Sequence, residues 1–163
     1  MVVKLQTLII QMLLTQIFIA RPNQIIETLD SNIAFFKKNS SANGKVVGIV
    51  GFCWGGSQFF NYATPSLEIE AAIVCYGTGP KKTDGYKNIQ VPIYGFYGGN
   101  DNRVNATIPS SQKAMQDSEI IFESIIYDGT GEAEGSSEAN EKAREDGLVC
   151  LKKILQVFKS IKF

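Results

Sequence analysis

Apolar residues follow two patterns along the chain: stripes at helical spacing and short unbroken runs. In residues 1–20, Leu5, Leu8/Ile9, Met12/Leu13 and Ile17 recur at helical spacing, with Gln6, Gln11 and Gln16 toward the other side. This spacing predicts an amphipathic amino-terminal helix. A secretory signal is the competing reading, with Lys4 as a thin basic region and Ile19-Ala20 at its end. The embedded glutamines suit a packed helix better and leave the stretch too polar for a membrane span. Pro22-Asn23 breaks the chain, and Asn23 can cap a second helix over 24–38. Its stripe is Ile25/Ile26, Leu29, Ile33 and Phe36, and Lys37-Lys38 suit its carboxyl end.

After the loop Asn39–Gly44 the pattern changes. Lys45–Phe52 is a near-continuous apolar run, which predicts a strand buried on both faces of a parallel sheet. Further strands are predicted over Ala71–Tyr76, Val91–Tyr97 and Ile120–Tyr127. Between them come helices at Trp54–Ala63, before Pro65, and at Ser110–Asp117, with a polar loop over Lys81–Asn88. A Gly/Ser/Glu-rich loop, Asp128–Ser137, leads to a final helix reaching Ile161, striped by Ala143, Gly147/Leu148, Leu151, Leu155 and Phe158. Strands alternating with helices predict one α/β domain over 1–163: a mostly parallel sheet with helices on both faces.

Composition narrows the chemistry. Sixteen basic and sixteen acidic residues balance, so no net field recommends nucleic acid or an anionic membrane. An apolar content of 44% fits an ordinary soluble globule. Three cysteines make a disulfide framework improbable and fit a reducing cytoplasm. There is no histidine, which removes the commonest general base and metal ligand, and no zinc spacing links the cysteines. No metal or cofactor is expected.

The candidate chemistry centres on Gly51-Phe52-Cys53-Trp54-Gly55-Gly56. Glycines two places before and after Cys53 match the spacing of a strand-to-helix nucleophile elbow, where residues at those positions crowd together. In parallel sheets functional groups gather at strand carboxyl ends. There Cys53, Asp101 and Glu132 follow the first, third and fourth strands. Asp101, within Gly98-Gly99-Asn100-Asp101, also suits a turn or helix cap. Cys75 and Cys150 read as core residues.

These residues resemble the dienelactone hydrolase family, which uses a cysteine nucleophile in the α/β-hydrolase fold. The likeness runs from the elbow through Tyr76-Gly77 and Val91-Pro92-Ile93-Tyr94-Gly95-Phe96-Tyr97-Gly98-Gly99-Asn100-Asp101 to Tyr127-Asp128-Gly129-Thr130-Gly131. It implies Cys53 as nucleophile, Asp101 as triad acid and the Trp54 backbone N–H as an oxyanion donor. The implied substrate is a small ester or lactone. Glu132 stands in the family's histidine position, and Glu134 replaces an aromatic residue. The family's usual first strands, which carry part of the pocket and a second oxyanion amide, have no counterpart here. An exposed sheet edge would favour a homo-oligomer.

A carboxylate near pKa 4.3 is a poor base toward a thiol near 8.5, a mismatch of about 5–6 kcal/mol. It would also repel the thiolate. The expectation is a hydrolase with weak or lost activity, or else a silent family member serving as a binding or oligomeric interaction module.

Overall fold

The computed structural model describes residues 22–38, 48–63, 69–131 and 137–160. The helix expected over 1–20 lies outside them. The chain falls into two compact units, 1–43 and 44–163.

In the first unit, helix α1 (Pro22–Lys38) buries Ile25, Leu29 and Ile33, each four residues after the last. Phe36, expected on the same stripe, is 53% exposed and meets Phe35 edge-on at 5.7 Å. An i+3 step from Ile33 carries it off the line that the i+4 steps define.

The second unit holds β1 (Gly48–Phe52), α2 (Trp54–Tyr62), β2 (Ala71–Cys75) and a 3₁₀ turn (Thr83–Asn88). β3 (Ile93–Gly98), α3 (Asn102–Asn105), α4 (Ile108–Asp117), β4 (Phe122–Tyr127) and α5 (Ser137–Ser160) follow. Its four strands pair in the order β1-β2-β3-β4, all parallel. Register places Phe52, Cys75, Phe96 and Ile125 in one row, so the strands end nearly level.

Most of the described core lies on one face, while of the strand residues only Ala71 and Ile73, on the central strand β2, are buried on the other. Ile49, Ala72, Val74, Ile93 and Tyr97 are buried on the first face, and α2 lies against β1 and β2. Phe60 on α2 is fully buried, its ring 5.6 Å from Phe122 and 5.9 Å from Tyr86. Met115 on α4 is likewise fully buried, and Tyr86 Oη shares a 2.8 Å hydrogen bond with Ser111 Oγ, which satisfies both buried hydroxyls.

The opposite face corrects one expectation. β1 is not buried on both sides: Val50 is 41% and Phe52 58% exposed, while Ile49 and Gly51 are buried. β1 sits at the end of the described sheet, and an apolar run does not specify a strand's place in it. Ile125 is 39% exposed on the same face. Of the α5 stripe, Ala143, Gly147 and Leu151 are half-buried and Leu148 is 47% exposed.

Other boundaries moved by one or two residues. β3 starts at Ile93 because Pro92 has no N–H to give the ladder, although its carbonyl accepts from Ala72 N at 3.1 Å. β4 starts at Phe122 because Glu119, at φ 57°, turns the chain just before it. The polar segment 81–88 contains the 3₁₀ turn, and α3 was not foreseen as a helix.

Candidate active site

Cys53 forms the junction between β1 and α2. Its φ of 52° and ψ of −124° lie outside the regions that a non-glycine residue favours. Such a conformation costs of order 1–3 kcal/mol and persists only where the surroundings fix it. Cys53 N donates to Cys75 O at 2.9 Å, and Ser57 N donates to Cys53 O at 3.1 Å. The thiol is exposed and outside any disulfide. Trp54 supplies the first amide of α2, at the positive end of the helix dipole.

The glycines divide differently from their spacing. A Cβ on Gly51 would stand 2.5 Å from Gly55 O and 2.7 Å from Gly55 C, so Gly51 is required. A Cβ on Gly55 would meet nothing within 4 Å, which corrects the expectation that both flanking glycines are needed for space. Gly56 is the second tight position, where a Cβ would lie 2.9 Å from Cys75 O. Gly77 is the third, where a Cβ would run into Ser57 N and Gly56. The end of β2 therefore closes against the first turn of α2. Ser57 fastens that closure by accepting from Thr78 N at 2.8 Å. Tyr76, between Cys75 and Gly77, is itself at φ 42°. Spacing within the hexapeptide gave no sign of Gly77 or Ser57.

Asp101 caps α3, with Oδ1 accepting from Val104 N at 2.9 Å. Its other oxygen lies 3.9 Å from the Arg103 guanidinium, and its side chain is 22% exposed. The capping role raised from the turn sequence is thus realised. Asn105 Nδ2 donates to Gly98 O at 2.8 Å and steadies the same turn. Gly99 N donates to Tyr127 O at 2.8 Å and Asn100 N to Thr130 O at 2.9 Å. These bonds tie the Asp101 turn to the segment leaving β4. The buried Thr130 holds its own turn by donating from Oγ1 to Tyr127 O at 2.7 Å. Glu132 and Glu134 lie outside the described residues.

Cys75 is half-buried rather than core, and burial pushes its thiol up to about 11. It is a protonated thiol at neutral pH, unsuited to nucleophilic work. Cys150 is also half-buried.

Among the described residues, a four-stranded parallel sheet with a cysteine on a strained strand-to-helix elbow defines an α/β-hydrolase fold. The chain belongs to the dienelactone hydrolase family, whose profile matches residues 4–161. A provisionally named carboxymethylenebutenolidase of Methylorubrum extorquens is 29% identical over 135 residues, covering 76% of this chain and 46% of that protein. A Saccharolobus solfataricus protein with the same provisional name is 31% identical over 120 residues, covering 72% of this chain and 46% of the relative. The chain thus spans about half the length of the curated relatives it matches. A provisionally identified dienelactone hydrolase from Klebsiella pneumoniae superposes with TM-score 0.63 at 23% identity, over 85% of this chain and 62% of that one. A dienelactone hydrolase-like promiscuous phosphotriesterase from metagenomic libraries superposes with TM-score 0.55 at 14% identity, over 85% and 66%. Both share the fold. Among the described residues, no helix is long and apolar enough to cross a membrane.

Proposed function

We propose that Cys53 is the nucleophile of a slow ester or lactone hydrolase. The observation that carries this reading is the elbow itself: a strained, exposed cysteine with φ 52° at the amino end of α2. A fold tolerates such a conformation where the side chain must stand clear of the sheet. The Cys53 thiolate would attack the carbonyl carbon, with the Trp54 N–H facing the developing oxyanion. The C–S bond forms, the C–O bond breaks, and the leaving alkoxide takes a proton from water. Water then cleaves the thioester to release the acid and regenerate the thiol.

The slow pace follows from composition. With no histidine in the chain, neither step has an imidazole to move the proton. Only the thiolate attacks, so the fraction of Cys53 in that form limits acylation. Glu132 in the family's histidine position would be a weak base. Deacylation has no activated water, so the thioester accumulates.

Hydrolysis of p-nitrophenyl acetate tests this. A burst of nitrophenolate that titrates with protein, vanishes in Cys53→Ala and is followed by slow turnover is expected. Equal rates for the two proteins would refute it.

A second reading, a catalytically silent family member acting as a binding or self-associating module, is supported by the lack of histidine. Under it, Cys53→Ala changes no ester hydrolysis, and a Glu132→His variant gains Cys53-dependent turnover. The exposed Val50 and Phe52 on β1 favour self-association, which light scattering measures.

A further inference from the structure

A cavity of about 540 Å³ lies between α5 and the sheet face turned away from α2. Val50, Phe52 and Phe96 form its apolar floor, and Ala143, Gly147 and Leu151 its roof. Its size falls within the range of small-molecule sites. Cys53 is not among its lining residues.

Two independent features distinguish it from loose packing. Gly147 sits in the interior of the 24-residue α5, where glycine costs about 1 kcal/mol relative to alanine. A Cβ there would meet nothing within 4 Å, so close packing does not require the glycine. Its effect is to leave room over the sheet. The second feature is Tyr127 in the cavity wall, whose buried hydroxyl has no partner in full hydrogen-bond geometry among the described residues. The Cys150 thiol acts on it through charge and a weak sulfur contact that falls short of full hydrogen-bond geometry. A buried hydroxyl left unpaired is costly, and a ligand acceptor would remove that cost.

The wall is also electrically quiet. Burial holds Cys75 protonated, with its thiol pushed up to about 11. Burial first, and then Cys150 and Asp146, push the Tyr127 phenol up as well. At the rim, Arg144 is paired with Glu141, and Asp101 is engaged by Val104 N.

We propose that this cavity binds a small uncharged molecule with an apolar body and one hydrogen-bond acceptor, which takes the Tyr127 Oη–H bond. The site works independently of Cys53 chemistry.

The test uses 6-propionyl-2-(dimethylamino)naphthalene, a neutral aromatic ketone whose emission shifts to the blue in apolar surroundings. Saturable binding with a blue shift is expected. Gly147→Leu, which fills the roof, abolishes it. Tyr127→Phe, which removes one atom, weakens it about fivefold, the worth of one hydrogen bond. It leaves the melting temperature unchanged or higher, since an unpaired buried hydroxyl is gone. 2-(Dimethylamino)naphthalene, which has no carbonyl, binds wild type and Tyr127→Phe alike. Cys53→Ala binds the ketone as wild type does, so a failed esterase assay leaves this result standing. Equal ketone affinity in wild type and Tyr127→Phe overturns the proposal. So does undiminished binding by Gly147→Leu, or its loss in Cys53→Ala.

Discussion

Gly51 and Gly55 are equivalent in the sequence motif, two residues either side of Cys53, yet their replacement by alanine has opposite consequences. An alanine Cβ at Gly51 would lie 2.5 Å from Gly55 O and 2.8 Å from Gly56 N. Both are backbone atoms of the first turn of α2, which the bonds from Ser57 N to Cys53 O and from Thr78 N to Ser57 Oγ hold in place. No side chain can rotate away, so the β1–α2 junction itself must open. Overpacking costs typically 1–3 kcal/mol, and against fixed backbone the upper end applies, about 3 kcal/mol. At Gly55 the new methyl meets nothing within 4 Å and the backbone is helical. Replacing glycine by alanine in a helix gains roughly 0.5–1 kcal/mol through the lower entropy of the unfolded chain.

For a chain of this size each kcal/mol moves the melting temperature by about 3 °C. Gly51→Ala is expected to melt about 9 °C below wild type and Gly55→Ala about 2–3 °C above it, followed by circular dichroism at 222 nm. Cys53 alkylation adds a second readout. Gly51→Ala slows or randomises it by disturbing the φ 52° conformation, whereas Gly55→Ala leaves it unchanged. If the two variants shift the melting temperature in the same direction by similar amounts, the elbow is not closed by the Gly51–Gly55 approach and the geometry argued above is wrong.

The Cys75 thiol binds its proton more tightly in the folded chain, near 11, than at the reference value of 9.0. Stability from this group is full below about pH 9 and is lost as pH rises to about 11; allowing for its partial exposure, roughly 2 kcal/mol is at stake. Urea titrations at pH 8 and pH 11 should show a smaller fall for Cys75→Ala than for wild type, and equal falls would refute the assignment. The same shift predicts that iodoacetamide at pH 8 labels Cys53 at least tenfold faster than Cys75, as read by peptide mass mapping. Asp101→Ala loses the α3 cap and about 1 kcal/mol, whereas Asp101→Asn keeps an acceptor for Val104 N and most of the stability. A Cys53-dependent ester burst reduced in both variants would assign the Asp101 charge a role beyond capping, and a burst intact in Asp101→Asn would restrict it to the cap.

The order of the strands and longer helices was legible because each carries a local signal: apolar runs for β1 to β4, stripes for α1 and α5, and Pro22 as a boundary, whereas the boundary that Pro92 sets was missed. The elbow was legible for a similar reason, since the glycine before Cys53 reports a contact closed within five residues. The signal failed where a contact spans more chain. Gly56 is constrained by the Cys75 carbonyl and Gly77 by Ser57, both about twenty residues away, and no spacing rule inside the hexapeptide could register them. The exposure of Val50 and Phe52 was missed on the same principle. Hydrophobicity states what a strand prefers to bury, whereas the sheet order decides what it does bury.

This separation between local and distant determinants bears on the chemistry. Among the described residues, the strained cysteine, its helix amide and the glycines that shape them are held by backbone contacts of β1, α2 and the end of β2. The position where the resemblance puts the family's histidine, Glu132, follows β4, three strands and about 14 Å of strand spacing from β1. The described contacts that close the elbow are therefore distinct from those that place the segment after β4. The carboxylate turn follows the same logic, since Asp101 is retained by the Val104 and Gly98 contacts of its own loop whether or not it serves a reaction. The bonds from Gly99 to Tyr127 and from Asn100 to Thr130 are the described contacts that bring the Asp101 turn and the segment after β4 together.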